Sequence, residues 1–198
     1  SCWRSSFFNT KDYGIDHNSL LASGRAGNVI GGGDWATDRL IPDMMRAINQ
    51  NEKVKIRNPL AIRPWQHVLE SLSGYLLLGQ KLLEGRKEFA EAWNFGPSKD
   101  ENATVGEVVS QIKVIWQEID YEINTLPDQP YEAGILKLDC SKARTRLKWK
   151  PVWDRKTAVE KTILWYRAFY ESNQVQSLGD INSYVADAKR EFISWREV

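Results

Sequence analysis

Short strand-like runs alternate with helix-patterned segments along the whole chain, and that alternation confines it to the α/β class. Residues 20–30 are apolar enough for a buried strand and stop at Gly31-Gly32-Gly33. Leu40, Ile41, Met44, Met45 and Ile48 then share one helical face, with Asp38 placed to cap the helix start. A short strand over 54–57 is closed by Asn58-Pro59, and Pro64 keeps 62–68 extended or looped. Val68, Leu69, Leu72, Tyr75, Leu76, Leu82 and Leu83 mark a further helix ending near Gly85. Residues 91–95 form a strand stopped by Gly96-Pro97, and Thr104 with Glu107 makes a capping box for the helix through Val108 and Ile112. Short strands are expected at 121–124 and 136–138. Ser141 caps a short helix, and Asp154 caps a longer one through Val159, Ile163, Tyr166 and Tyr170. Residues 173–198 read as a polar linker with one more helix.

Charge and cysteine content exclude several classes. Twenty-seven Lys and Arg against 26 Asp and Glu give a net charge of +1, so nothing in the electrostatics calls for nucleic acid or a membrane surface. No apolar run approaches the length of a membrane span, and no signal peptide is visible at Ser1-Cys2-Trp3-Arg4. Two cysteines, Cys2 and Cys140, are too few for a disulfide framework or a zinc site, and a reduced cytoplasm is the default expectation. The nine tryptophans are expected mainly to fill the core.

Gly31, Gly33 and Ala36 formally satisfy the G-x-G-x-x-A dinucleotide fingerprint. A pyrophosphate loop needs the helix to begin at its glycines, so that free amides face the phosphates. Here Asp34 and Trp35 intervene, the helix is expected only near Asp38, and a carboxylate would repel a diphosphate. His67 has no Ser, Cys or Asp forming a recognisable triad with it and reads as a hydrogen-bonded structural residue, while His17 sits in a polar, solvated loop. Trp149 and Trp153, bracketing Pro151, read as packing residues.

One succession of segments is more specific. Arg25-Ala26-Gly27-Asn28-Val29-Ile30-Gly31 precedes Asp38-Arg39-Leu40-Ile41-Pro42, followed by 54–57, Ile62-Arg63-Pro64-Trp65-Gln66-His67-Val68 and Trp93-Asn94-Phe95-Gly96. Leu136-Lys137-Leu138-Asp139-Cys140-Ser141-Lys142-Ala143 and Leu147-Lys148-Trp149-Lys150-Pro151 close the series. This order resembles the C-terminal half of the extended short-chain dehydrogenases/reductases that act on sugar nucleotides. The phrases at 31–35, 57–68 and 136–143 are similar in particular to the CDP-glucose 4,6-dehydratases.

The resemblance implies the C-terminal portion of an extended Rossmann-type fold over 1–172, with the small substrate-binding domain, a linker and helix over 173–198, and the N-terminal NAD-binding half absent. It implies CDP-glucose or a similar nucleotide sugar as ligand, and a homo-oligomer in the intact protein. By resemblance, Arg63 clamps the diphosphate as a planar guanidinium donor and Asn28 hydrogen-bonds it. Arg39 and the Leu40 backbone approach the phosphate or ribose, and Ile56 and Arg57 line the base pocket. Glu132 is placed near the sugar or nucleotide, although Tyr131 stands where the family usually shows His. Ala26 and Gly27 would contact the cofactor, NAD, in an intact protein; this chain alone is not expected to hold it. The sequence contains no Tyr-x-x-x-Lys pair, so no catalytic residue is assigned, and the catalytic set is expected upstream of residue 1. Three readings stay open: part of a dehydratase, part of a related sugar-nucleotide epimerase, or a non-enzymatic nucleotide-sugar-binding or oligomerisation module.

Overall fold

The computed structural model describes residues 2–98, 101–123, 134–191 and 193. Strands pair two by two. β1 (Ser23–Ala26) lies parallel to β6 (Ala92–Phe95), and β2 (Asn28–Ile30) lies parallel to β5 (Trp65–His67). β3 (Val54–Ile56) is parallel to β8 (Tyr121–Ile123), whereas β4 (Ile62–Arg63) runs antiparallel to β7 (Ala103–Thr104). The helices are α1 (Cys2–Phe7), α2 (Leu40–Gln50), α3 (Val68–Leu83), α4 (Val105–Ile115), α5 (Ser141–Arg146), α6 (Arg155–Ser172) and α7 (Ser177–Arg190). The α/β class expected from the alternation is the class observed.

The single buried strand expected over 20–30 is instead two strands that change partner at Gly27, and most of β1 is exposed. The cause is a close crossing: a Cβ on Gly27 would stand 2.7 Å from the Pro64 carbonyl oxygen. That carbonyl accepts the Asn28 N–H at 3.1 Å. Pro64 has no N–H to continue a ladder, and it also divides β4 from β5.

Asp38 is not the N-cap of α2. It takes a left-handed φ of 59°, and Arg39 occupies the cap position in extended conformation with no side-chain cap bond. Asp tolerates the left-handed region better than most residues, which lets the chain turn sharply there. The expected apolar face of α2 is buried through Ile41, Met44 and Met45. Helix α3 departs further: its buried positions are Glu70, Ser71, Gly74, Leu77 and Leu78, while Leu72, Tyr75, Leu76 and Leu83 face outward.

The capping box of α4 forms as read, Glu107 N–H donating to Thr104 Oγ1 and Thr104 N–H to Glu107 Oε2. Asp154 caps α6 by accepting from Thr157 N–H at 2.7 Å. Ser141 is the first residue of α5 rather than its cap, and Asp139 Oδ1 accepts its N–H. No strand forms at 136–138. Ile135 makes a single bridge to Ile62, and Leu136 N–H donates to the Ile62 carbonyl. His17 is half-buried rather than solvated, with Nε2 3.0 Å from the Asn9 carbonyl.

The larger core cluster gathers Ile41, Met44, Met45, Val108, Ile112, Ile163 and Tyr166 between α2, α4 and α6. A second cluster holds Leu77, Phe89, Trp93, Phe95 and Trp149 beneath α3 and α5. Trp65, Trp93, Trp116, Trp149, Trp153 and Trp165 are all buried, as core filling requires. Among the described residues no helix is long and apolar enough to cross a membrane.

Candidate functional site

A cavity of about 510 Å³ opens between β2, the loop leading into α2, β3 and β4. The break at Gly27 positions it, because the chain there leaves β6 and turns Asn28 toward β5. Residues 27–31 form one wall and 38–43 the facing one, while 54–58, Arg63, Trp65 and Val105 close the remainder. In β3 the alternation buries Val54 and Ile56 on one face and leaves Lys55 exposed on the other. The first-turn amides of α2 have no intrahelical acceptor, and Leu40 and Ile41 lie in the lining.

The lining is cationic on one side and mixed on the other. Lys55, Arg57 and Arg63 stand on the β3–β4 side, and Arg39 stands with Asp34, Asp38 and Asp43 on the α2 side. Two of these carboxylates are engaged locally. Asp34 accepts from Arg39 Nη1 at 3.0 Å and from Ala36 N–H at 3.0 Å, and Asp43 pairs with Arg46. The repulsion expected of Asp34 toward a diphosphate is therefore offset by the neighbouring guanidinium. Arg63 is buried, at 7% exposure, with Nη1 donating to the Ile62 carbonyl. That bond holds the head of a long, flexible side chain in place within the lining.

Asn28, Arg39, Leu40, Ile56, Arg57 and Arg63, taken from four separate stretches of sequence, all line this one cavity. Gly27 lines it too, whereas Ala26 lies outside the lining, in β1 opposite Phe95. Glu132 falls outside the described residues. Sequence reasoning passed over Lys55 and Trp65; the period-two alternation of 54–56 was the available signal for the first. Trp65 carried none, because its indole is buried and its Nε1 donates to the Ala103 carbonyl.

The glycine run does not make a dinucleotide cradle. Helix α2 starts only at Leu40, Gly33 has a φ of +81°, and the space a Gly32 side chain would fill is taken by the Trp165 ring. The Gly31–Gly33 run does not fit the diphosphate of NAD.

His67 serves the fold. It caps α3, its Nδ1 accepting from Leu69 N–H, and burial, with Lys161 nearby, pushes its imidazole down to about 4. Glu70 is fully buried and accepts from Val152 N–H, Trp153 N–H and the Tyr184 hydroxyl. Burial nevertheless lifts its carboxyl to about 7, since these bonds only partly offset the lost hydration.

No protein-family model matches the chain. Over 192 residues it is 44% identical to a CDP-glucose 4,6-dehydratase from Salmonella typhimurium, a match covering 96% of this chain and 53% of that protein. The chain thus spans about half the length of this relative. Among solved structures, a UDP-glucuronic acid 4-epimerase mutant from Bacillus cereus, in complex with UDP-4-deoxy-4-fluoro-glucuronic acid and NAD, superposes with a TM-score of 0.66 at 18% identity. That alignment covers 85% of this chain and 49% of the epimerase. A dTDP-glucose 4,6-dehydratase from Bacillus anthracis, in complex with NAD, gives 0.59 at 19% identity, over 88% and 52% of the two chains. The fold is accordingly that of about half of an extended short-chain dehydrogenase/reductase, and nearly the whole chain resembles a CDP-glucose 4,6-dehydratase.

Proposed function

We propose that this chain is the C-terminal, nucleotide-sugar-binding part of an NAD-dependent CDP-glucose 4,6-dehydratase, a lyase of deoxysugar biosynthesis. The observation that supports this most is convergence: residues chosen from four separate stretches of sequence surround one cavity. A nucleotide sugar presents a diphosphate, a ribose and a planar base. In this reading Arg63 and Asn28 bind the diphosphate, Arg39 and the Leu40 amide approach the phosphate or ribose, and Ile56 with Arg57 receives the base. Lys55 adds charge on the same side. Glu132 is assigned to the sugar by resemblance alone, and Ala26 and Gly27 to the neighbourhood of the cofactor.

In this proposal NAD is held mainly by the rest of the longer protein, with Ala26 and Gly27 at its edge, and no step through it is assigned to these residues. The part of the work done here is binding and orientation of the substrate. The chain by itself is expected to bind and not to turn over, consistent with the missing Tyr-x-x-x-Lys pair. In this proposal the longer protein works in the cytoplasm as a homo-oligomer.

The test is Arg63→Ala in the full-length protein. A charge-assisted guanidinium–diphosphate contact of about 1.5–3 kcal/mol implies a KM for CDP-glucose raised roughly ten- to a hundredfold. The effect on kcat is smaller, because the diphosphate lies away from the reacting sugar carbons. Arg63→Lys restores charge without the planar fork and recovers part of the loss. An unchanged KM, or a marked fall in melting temperature with affinity intact, would assign Arg63 to the fold instead.

A further inference from the structure

Helix α6 takes no part in lining the cavity, yet its side chains hold the loop that does. Tyr166 is fully buried, and its hydroxyl makes two bonds to a single residue. It donates to the Asp34 carbonyl at 2.6 Å and accepts the Asp34 N–H at 3.0 Å. Both backbone groups of one loop residue are thereby tied to one oxygen. The Tyr166 ring meets Trp35 edge-on at 5.3 Å, and the absent side chain of Gly32 leaves room for Trp165. Arg46 of α2 adds a second hold on the same loop by donating to the carbonyls of Trp35 and Ala36. The Asp34 carboxylate, fixed by that backbone, then receives Arg39 Nη1, and the Arg39 side chain is otherwise 63% exposed at the cavity rim.

We infer that Tyr166 is a positioning residue for nucleotide-sugar binding: it pins the backbone of Asp34 so that the Asp34 carboxylate holds Arg39 at the cavity. This rests on the proposed reading of the cavity and adds to it a side chain that never touches ligand. An exposed arginine keeps many rotamers, and fixing it in advance lowers the entropy lost on binding. Tyr166→Phe keeps the ring, its packing on Trp35 and the core volume, and removes only the two-way hydrogen bond.

The experiment is a double-mutant cycle read by calorimetric titration of the full-length protein with CDP. Tyr166→Phe is expected to raise the Kd about two- to tenfold, the cost of ordering one long side chain on binding. Because Tyr166 acts through Arg39, the double variant Tyr166→Phe/Arg39→Ala should bind no worse than Arg39→Ala alone. A general loss of structure would instead add to the Arg39→Ala loss, and additivity overturns the inference. Failure of the wild-type protein to bind CDP overturns the cavity reading and this inference with it. Wild-type binding with an unchanged Kd for Tyr166→Phe overturns the inference alone. Should Tyr166→Phe not fold, Arg46→Met releases the same loop at Trp35 and Ala36; the same coupling to Arg39 is expected, and independence again overturns the proposal.

Discussion

Helices α2 and α3 both carry apolar residues at helical spacing, yet one buries its stripe and the other turns it outward. In α2, Met44 and Met45 have no exposure and join the larger core. In α3, Leu76 is 75% exposed and Leu83 92% exposed. The inner side of α3 sets Leu77 and Leu78 beside groups no hydrophobicity count would choose. Gly74 admits the ring of Phe95, and Glu70 with Ser73 forms a polar clasp. Trp149 Nε1 donates to Ser73 Oγ at 3.0 Å, and Tyr184 on α7 donates to Glu70 at 2.8 Å. Spacing establishes that a helix has an apolar face. What covers that face is a tertiary matter, and in the longer protein proposed above the remaining part of the fold is expected to pack on it.

Truncating Met45→Ala should have the largest effect, because the closed core has no route to fill the space. A loss of about 2–5 kcal/mol is expected in denaturant titration. A loss below about 1 kcal/mol would mean that the α2 core is no tighter than the α3 side, and the contrast between the helices would fall.

Glu70→Gln ranks next and probes the clasp. One of the two backbone N–H donors loses its acceptor, at a cost of about 1–3 kcal/mol. Its pH dependence has a definite sign. The native Glu70 keeps its proton up to about 7, whereas an unfolded one releases it near 4.5. The stability that this protonation contributes is full below 4.5 and is lost as pH rises through about 7. Glutamine has no such loss, so the deficit of the variant relative to wild type should be largest near pH 4.5 and shrink by about 3 kcal/mol by pH 7.5. His67 acts with the opposite slope, its neutral form favoured in the native state as pH rises from about 4 to 6.5. It does so in both proteins and cancels from the difference. A deficit independent of pH would show that Glu70 stays ionised in the clasp.

Leu76→Ser should have the smallest effect on this chain alone, within about 0.5 kcal/mol, while lowering the binding of an apolar dye. In the full-length protein the same change should cost about 2–3 kcal/mol if the α3 face is covered there. Equal, small effects in both would leave that face open to solvent in both.

Much of this was legible in the residues because it depends on local chemistry. The α4 capping box needs only Thr104 and Glu107 three residues apart, and the stripe of α2 needs only its own spacing. The ordered segments from Asn28 to Arg63 likewise marked residues that meet at one cavity. Other features required distant partners. Asp38 looked like a cap, but it lies in the left-handed region after a loop held by Tyr166 and Arg46, and the cap position falls to Arg39. The apolar run over 20–30 looked like one strand, but the crossing of Pro64 over Gly27 divides it. By itself the sequence determined the alternation of elements and the caps at Thr104 and Asp154, since these follow from backbone propensity and side-chain chemistry over a few residues, while the kind of ligand came from the resemblance alone. Only the tertiary structure decided which face of α3 is buried and that a tyrosine 132 positions away holds Asp34, because burial and hydrogen bonding between distant segments depend on where the chain brings them together.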